Sequence, residues 1–150
     1  MITIKKISKT EIPPLVEMSY LGDNELIEKY HPLCLEGKPT MELAIIDTLH
    51  KIHEASKELK LNYYKVIFQK KPIGYFVTFD NFLFSFCINK KYRTKENLIG
   101  WFNQVKKALG EPFQCVLHSN NTRTIDHLIR QGMIRYKDNE EEKVTTLVYY

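Results

Sequence analysis

The hydrophobic positions divide this chain into stretches of period two and stretches of helical period. Residues 2–7 alternate apolar and polar side chains and predict a strand. Pro13 and Pro14, close to Glu11, suit the first turn of a helix that runs through Val16 to about Tyr20. Leu21-Gly22-Asp23 breaks that helix, and residues 31–39, which hold Pro32, Gly37 and Pro39, read as a loop. Thr40 caps a long helix in which Met41, Ile45, Leu49, Ile52, Ala55 and Leu59 recur at helical spacing. Glu42 in its first turn complements the helix dipole.

Strand patterns resume over residues 63–68, turn at Lys70-Lys71-Pro72, return over 73–79, turn at Asp80-Asn81 and continue over 82–88. In the last of these, Phe82, Phe84 and Phe86 are expected on one face, and Leu83, Ser85 and Cys87 on the other. Both faces are largely apolar, as befits a central strand covered on both sides. Thr94 or Lys95 then starts a helix with Leu98, Phe102, Val105 and Leu109 as its core stripe; Gly110 ends it and Pro112 blocks continuation. A strand over 113–117, a helix over 122–131 stopped by Gly132, and a hairpin of 133–137 with 144–149 complete the order.

Composition narrows the class. No repeat, linker or low-complexity tract divides the 150 residues, so one domain is expected over 1–150. A hydrophobic fraction of 43% and an aromatic fraction of 12% exclude a disordered chain. Apolar runs are too short to span a bilayer, and the chain opens directly into a strand pattern, so a soluble, unexported, cytoplasmic protein is expected. Cys34, Cys87 and Cys115 are odd in number and lack CxxC spacing, which predicts reduced thiols rather than disulfides or zinc. His50, His53 and Glu54 do not form the HExxH arrangement, and no metal is expected. The formal charge is +4, carried partly by the pairs Lys5-Lys6, Lys70-Lys71, Lys90-Lys91 and Lys106-Lys107. These make no continuous stripe, so they fit a solvated surface or an anionic ligand better than nucleic acid.

Three local patterns, in order, carry a family resemblance. Lys71-Pro72-Ile73-Gly74-Tyr75 is a turn and small residue opening a strand. Ile88-Asn89-Lys90-Lys91-Tyr92-Arg93-Thr94-Lys95 joins a strand to a helix. Asn121, Thr124, Ile125, Arg130, Gly132 and Met133 follow a fixed spacing near the chain's end. With the element order, they resemble the GNAT superfamily of N-acetyltransferases over nearly the whole chain. The resemblance implies an α/β (α+β) fold with a mixed, mostly antiparallel sheet of about seven strands and about four helices. It also extends to GNAT-like virion proteins of short-tailed phages.

What the resemblance implies for chemistry is an acetyl-CoA-dependent N-acyltransferase in which an amine attacks the thioester directly. Main-chain groups of Phe86, Cys87 and Ile88 would pair with the pantetheine arm, Arg93, Thr94 and Lys95 would meet the pyrophosphate, and Asn121 and Thr124 would flank the thiol end. Glu96 and Leu98 stand where the family's phosphate-cradling glycines usually sit, and Leu128 stands at its usual acid, a tyrosine. His118 is the candidate base and Tyr92 the candidate acid; Tyr136 is a further tyrosine that spacing does not select. The acceptor is a small-molecule or peptide amine of unread identity. The departures also admit a GNAT-fold protein without catalysis that works through protein partners or self-association, and a binder that keeps the acyl-CoA cleft without turnover.

Overall fold

A computed structural model describes residues 1–30 and 40–150. The loop expected over 31–39, and with it Cys34, lies outside the described residues. The elements are β1 (Ile2–Ile7), α1 (Ile12–Tyr20), α2 (Asn24–Tyr30), α3 (Met41–Ser56), β2 (Asn62–Phe68), β3 (Lys71–Phe79), β4 (Phe82–Ile88), α4 (Lys95–Leu109), β5 (Phe113–His118), α5 (Thr122–Arg130), β6 (Ile134–Asn139) and β7 (Val144–Tyr149). Short 3-10 turns precede α1 and α4.

One seven-stranded sheet runs in the order β1-β2-β3-β4-β5-β7-β6. Every neighbouring pair is antiparallel except β4 with β5. That parallel pair is short: Phe82 faces Gln114, Leu83 faces Cys115, and the register ends there. Beyond Leu83 the two strands part, and the fold opens in the middle of its own sheet.

Apolar residues bury on both faces. One core joins Phe76, Phe102, Phe113, Leu128 and Leu147 beneath α4 and α5. The other joins Val16, Ile52, Tyr75 and Val77 beneath α1 and α3. Tyr64 stacks on Phe76 with ring centroids 4.6 Å apart, a cross-strand aromatic pair that helps fix the β2–β3 register.

All seven expected strands form, with shifted bounds in some and a changed alternation in β4, and other elements need correction too. Among the described residues there are five α-helices, in keeping with the expected fold class. Asn24–Tyr30, to which the sequence pattern assigns no element, is helical: the Asp23 carboxylate accepts a hydrogen bond from the Leu26 N–H at 3.1 Å and caps it. Helix α3 ends at Ser56, so Leu59 lies outside it and is exposed. Its most buried line is Ala44, Thr48 and Ile52, with Met41, Ile45 and Leu49 alongside. The β2–β3 turn falls at Gln69 and Lys70, both with positive φ, one residue earlier than the proline suggested.

The largest correction is in β4. Val77 pairs with Ser85 and Thr78 with Leu83, so Phe84 is an extra, bulged residue. The bulge resets the alternation. Leu83, Phe86 and Ile88 pack into the α4/α5 core, while Phe84 and Cys87 pack into the α1/α3 core. Strict period two places Phe84 and Phe86 together; a single inserted residue separates them.

Candidate functional site

The parting of β4 and β5 produces a cleft of about 450 Å³. Phe86, Cys87 and Ile88 line one side and Leu117 the other, with Trp101 and Leu98 from α4 and Thr124 and Leu128 from α5. The edge of β4 that faces the cleft has no strand partner past Leu83, so its main-chain groups are open to an extended ligand. Phe86 lies against Trp101 with ring centroids 5.1 Å apart, which gives the cleft an aromatic wall.

A second, smaller cavity of about 230 Å³ opens on the α3 face, lined by Phe82, Phe84, Ser85, Thr48, Lys51 and Val116 among others. Tyr20 lines both cavities. Its ring is buried, and its hydroxyl lies 2.9 Å from Thr48 Oγ1. Tyr20 is thus a wall common to both cavities.

Of the sequence-predicted residues, Phe86, Cys87, Ile88, Arg93, Asn121 and Thr124 line the cleft. Thr94, Lys95, Tyr92 and His118 are outside its lining. Thr94 is the N-cap of α4, where its hydroxyl accepts from the Asn97 N–H at 3.2 Å. Lys95 and Glu96 are exposed in the first turn of that helix. Tyr92 packs edge-on against Phe68, with Lys91 Nζ 5.8 Å from its ring. His118 ends β5 half-buried, on the face that also carries Val116, and its pKa is held below the usual value by burial and by Lys51 and Lys143.

Arg93 is already engaged. Its Nη2 stands 2.6 Å from Asp23 Oδ2, and its Nε donates to the Ile88 carbonyl at 2.7 Å. The Asp23 side chain is 3% exposed, so this is a buried pair that holds the start of α2 against the end of β4. Asn89 adds a parallel tie, donating from Nδ2 to the Met18 carbonyl at 2.7 Å. Cys87 is packed between these groups, and burial pushes its thiol up to about 12 against a smaller opposing pull from Arg93. It is a packing residue, with no thiolate at neutral pH.

Sequence reasoning missed Tyr20, Trp101, Arg123 and His127 as lining residues. The α5 residues carried a readable signal: Arg123, His127 and Arg130 recur at i, i+4 and i+7 and must share one helix face. Tyr20 carried none, since only the crossing of α1 over β3 and β4 brings it to the opening. Among the described residues no group of three or more His, Cys, Asp or Glu side chains is placed to hold a metal, and no helix is long and apolar enough to cross a membrane.

The fold is that of the GNAT acetyltransferases. An acetyltransferase from Thermus thermophilus superposes with a TM-score of 0.65 and 16% identity, over 99% of this chain and 96% of that one. The aminoglycoside acetyltransferase AAC(6')-Ib with coenzyme A gives 0.67 and 14%, over 99% and 94%. A spermidine N-acetyltransferase from Vibrio cholerae, in complex with CoA and spermine, gives 0.62 and 13%, over 98% and 94%. No protein-family model and no curated protein sequence matches the chain.

Proposed function

We propose that this protein is an acetyl-CoA-dependent N-acyltransferase acting on an amine. The observation that carries the reading is a cleft beside the unpaired edge of β4, with a smaller cavity that shares Tyr20 as a wall. Solved structures of the same fold hold coenzyme A, and their names give aminoglycosides and spermidine as acceptors, which supports the donor and the amine class together.

The cleft walls suit the pantetheine half of the donor, while the turn into α4 is ill-suited to its phosphates. A pantetheine arm has the open β4 edge at Phe86 and Cys87, the apolar wall of Trp101 and Leu117, and the polar Asn121 and Thr124. The turn into α4 does not offer a phosphate cradle. Thr94 already occupies the Asn97 N–H, Arg93 is held by Asp23 and Ile88, and the Glu96 carboxylate sits in the first turn.

Acetyl-CoA supplies the acyl group as a thioester, which the acceptor amine attacks directly. On this reading His118, on the β5 face that carries Val116 and outside the lining of both cavities, is the base, and burial near Lys51 and Lys143 favours its neutral form. On the same reading Tyr20, which lines the cleft, returns a proton to the departing sulfur in place of Tyr92, which packs on Phe68 outside the lining. The closed α4 turn favours a second reading, a GNAT-fold protein that binds without turnover.

The deciding experiment is calorimetric titration with acetyl-CoA, followed by thiol-release assays over a panel of amines. Binding with amine-dependent thiol release supports the transferase. Binding with no release from any amine supports the second reading.

A further inference from the structure

Helix α5 turns Arg123, His127 and Arg130 toward the cleft. The two arginines are seven positions apart, nearly two full turns, which places their Cα atoms on one side of the helix about 10 Å apart. His127 lies between them, and its Nε2 is buried without a hydrogen-bond partner among the described residues. Lys90, which follows β4, reaches the same cleft.

The cations Arg123, Arg130 and Lys90 are little engaged among the described residues. Among the described residues, neither Arg130 nor Lys90 makes a side-chain hydrogen bond or ion pair. Arg123 has one carboxylate neighbour, Glu25 at 3.6 Å, and both side chains are exposed (81% and 47%), which makes the pair weak. The contrast with the turn into α4 is sharp. There Arg93 is sequestered, the helix start is capped by its own threonine, and the exposed Lys95 stands beside the exposed Glu96 carboxylate.

We propose that the phosphate groups of the acyl donor bind to the α5 face of the cleft, through Arg123, His127 and Arg130 with Lys90, and not at the N-terminus of α4. The proposal rests on the acetyl-CoA reading and specifies which end of the cleft recognises the nucleotide. Guanidinium groups pair with phosphate oxygens in a two-pronged geometry, and an unpaired imidazole nitrogen between them supplies a further hydrogen bond. A donor so held would keep its thiol arm along Phe86 and Cys87 while its charged end ran over α5.

The test uses coenzyme A, adenosine 3',5'-bisphosphate and pantetheine, titrated against the intact chain and against Arg130→Gln, Arg123→Gln, Lys90→Gln and Lys95→Gln. All four side chains are exposed, so thermal melts should match the parent and establish folding. Arg130→Gln and Lys90→Gln should each weaken coenzyme A and the bisphosphate by about tenfold, the loss of one charge-assisted contact. Lys95→Gln should leave both unchanged, and no variant should alter pantetheine binding. A loss in Lys95→Gln equal to that in Arg130→Gln, or none in Arg130→Gln, overturns the proposal. Coenzyme A binding of the expected pattern without turnover overturns only the transferase reading. If coenzyme A fails to bind the parent, that reading falls, and the bisphosphate decides: binding lost in Arg130→Gln sustains the anion site, and no binding refutes it.

Discussion

Arg93 and Asp23, seventy residues apart in sequence, form an ion pair of 2.6 Å between the turn that joins β4 to α4 and the start of α2. Both groups have other duties. Asp23 caps α2, and Arg93 holds the Ile88 carbonyl. Breaking such a pair leaves a charge buried without its partner, at about 3–5 kcal/mol. Arg93→Met, which leaves the buried Asp23 carboxylate alone, should destabilise by that order; Asp23→Ala should cost less, because Arg93 is 27% exposed, and the double variant clearly less than the sum of the two. Urea denaturation of the four proteins tests this; simple additivity would show that the two side chains do not interact.

Gly74 is the second backbone constraint near the cleft. A Cβ there would stand 2.4 Å from the Cys87 carbonyl oxygen and 3.0 Å from the Ile88 Cα, and neither can yield without moving β4. Gly74→Ala should cost about 1–3 kcal/mol by overpacking and displace the strand edge that faces the cleft. A melting temperature equal to the parent's would refute this account of the glycine.

Tyr20 should matter to turnover more than to binding. In Tyr20→Phe the ring stays while the hydroxyl near Thr48 is lost. If Tyr20 protonates the leaving sulfur, kcat should fall about 10²-fold while acetyl-CoA binds as before. An equal kcat would remove Tyr20 from the chemistry.

His118 and His127 both have pKa values held below the ordinary histidine value, each chiefly by burial and secondarily by nearby cations. The unfolded chain therefore binds protons more readily than the folded one as pH falls through the usual histidine range. Stability should be fully present above about pH 6.5 and decline below it. Replacing both with glutamine should flatten that decline in melting experiments; an unchanged slope would assign it to other groups.

Cys87 and Cys115 are both pushed up to about 12, dominantly by burial. Neither should react with a thiol reagent at pH 8 while the chain is folded, and both should react in denaturant, as read by peptide mass. Their folded pKa values exceed the unfolded one, so they contribute stability below about pH 9 that is lost as pH rises further. Rapid native labelling of Cys87 would show that the end of β4 opens readily.

The sequence by itself determined the strand and helix order, the stops at Gly110 and Gly132, and the two-faced apolar character of β4. These follow from local periodicity, caps and turn residues, which the chain carries in each short window. A short helix such as α2 was harder to read because one capping aspartate and seven residues give little periodic signal. Only the tertiary structure decided the site. The bulge at Phe84 exists because β4 must match β3 across a register shift. The cleft exists because β5 leaves β4 after two paired positions. Arg93 reads as a free cation in sequence and is spent on Asp23 in space, while Arg123 and Arg130 read as ordinary helix-surface charges and face the cleft. Which charge is neutralised and which is left for a ligand depends on partners distant in the chain, and local pattern carries no record of them.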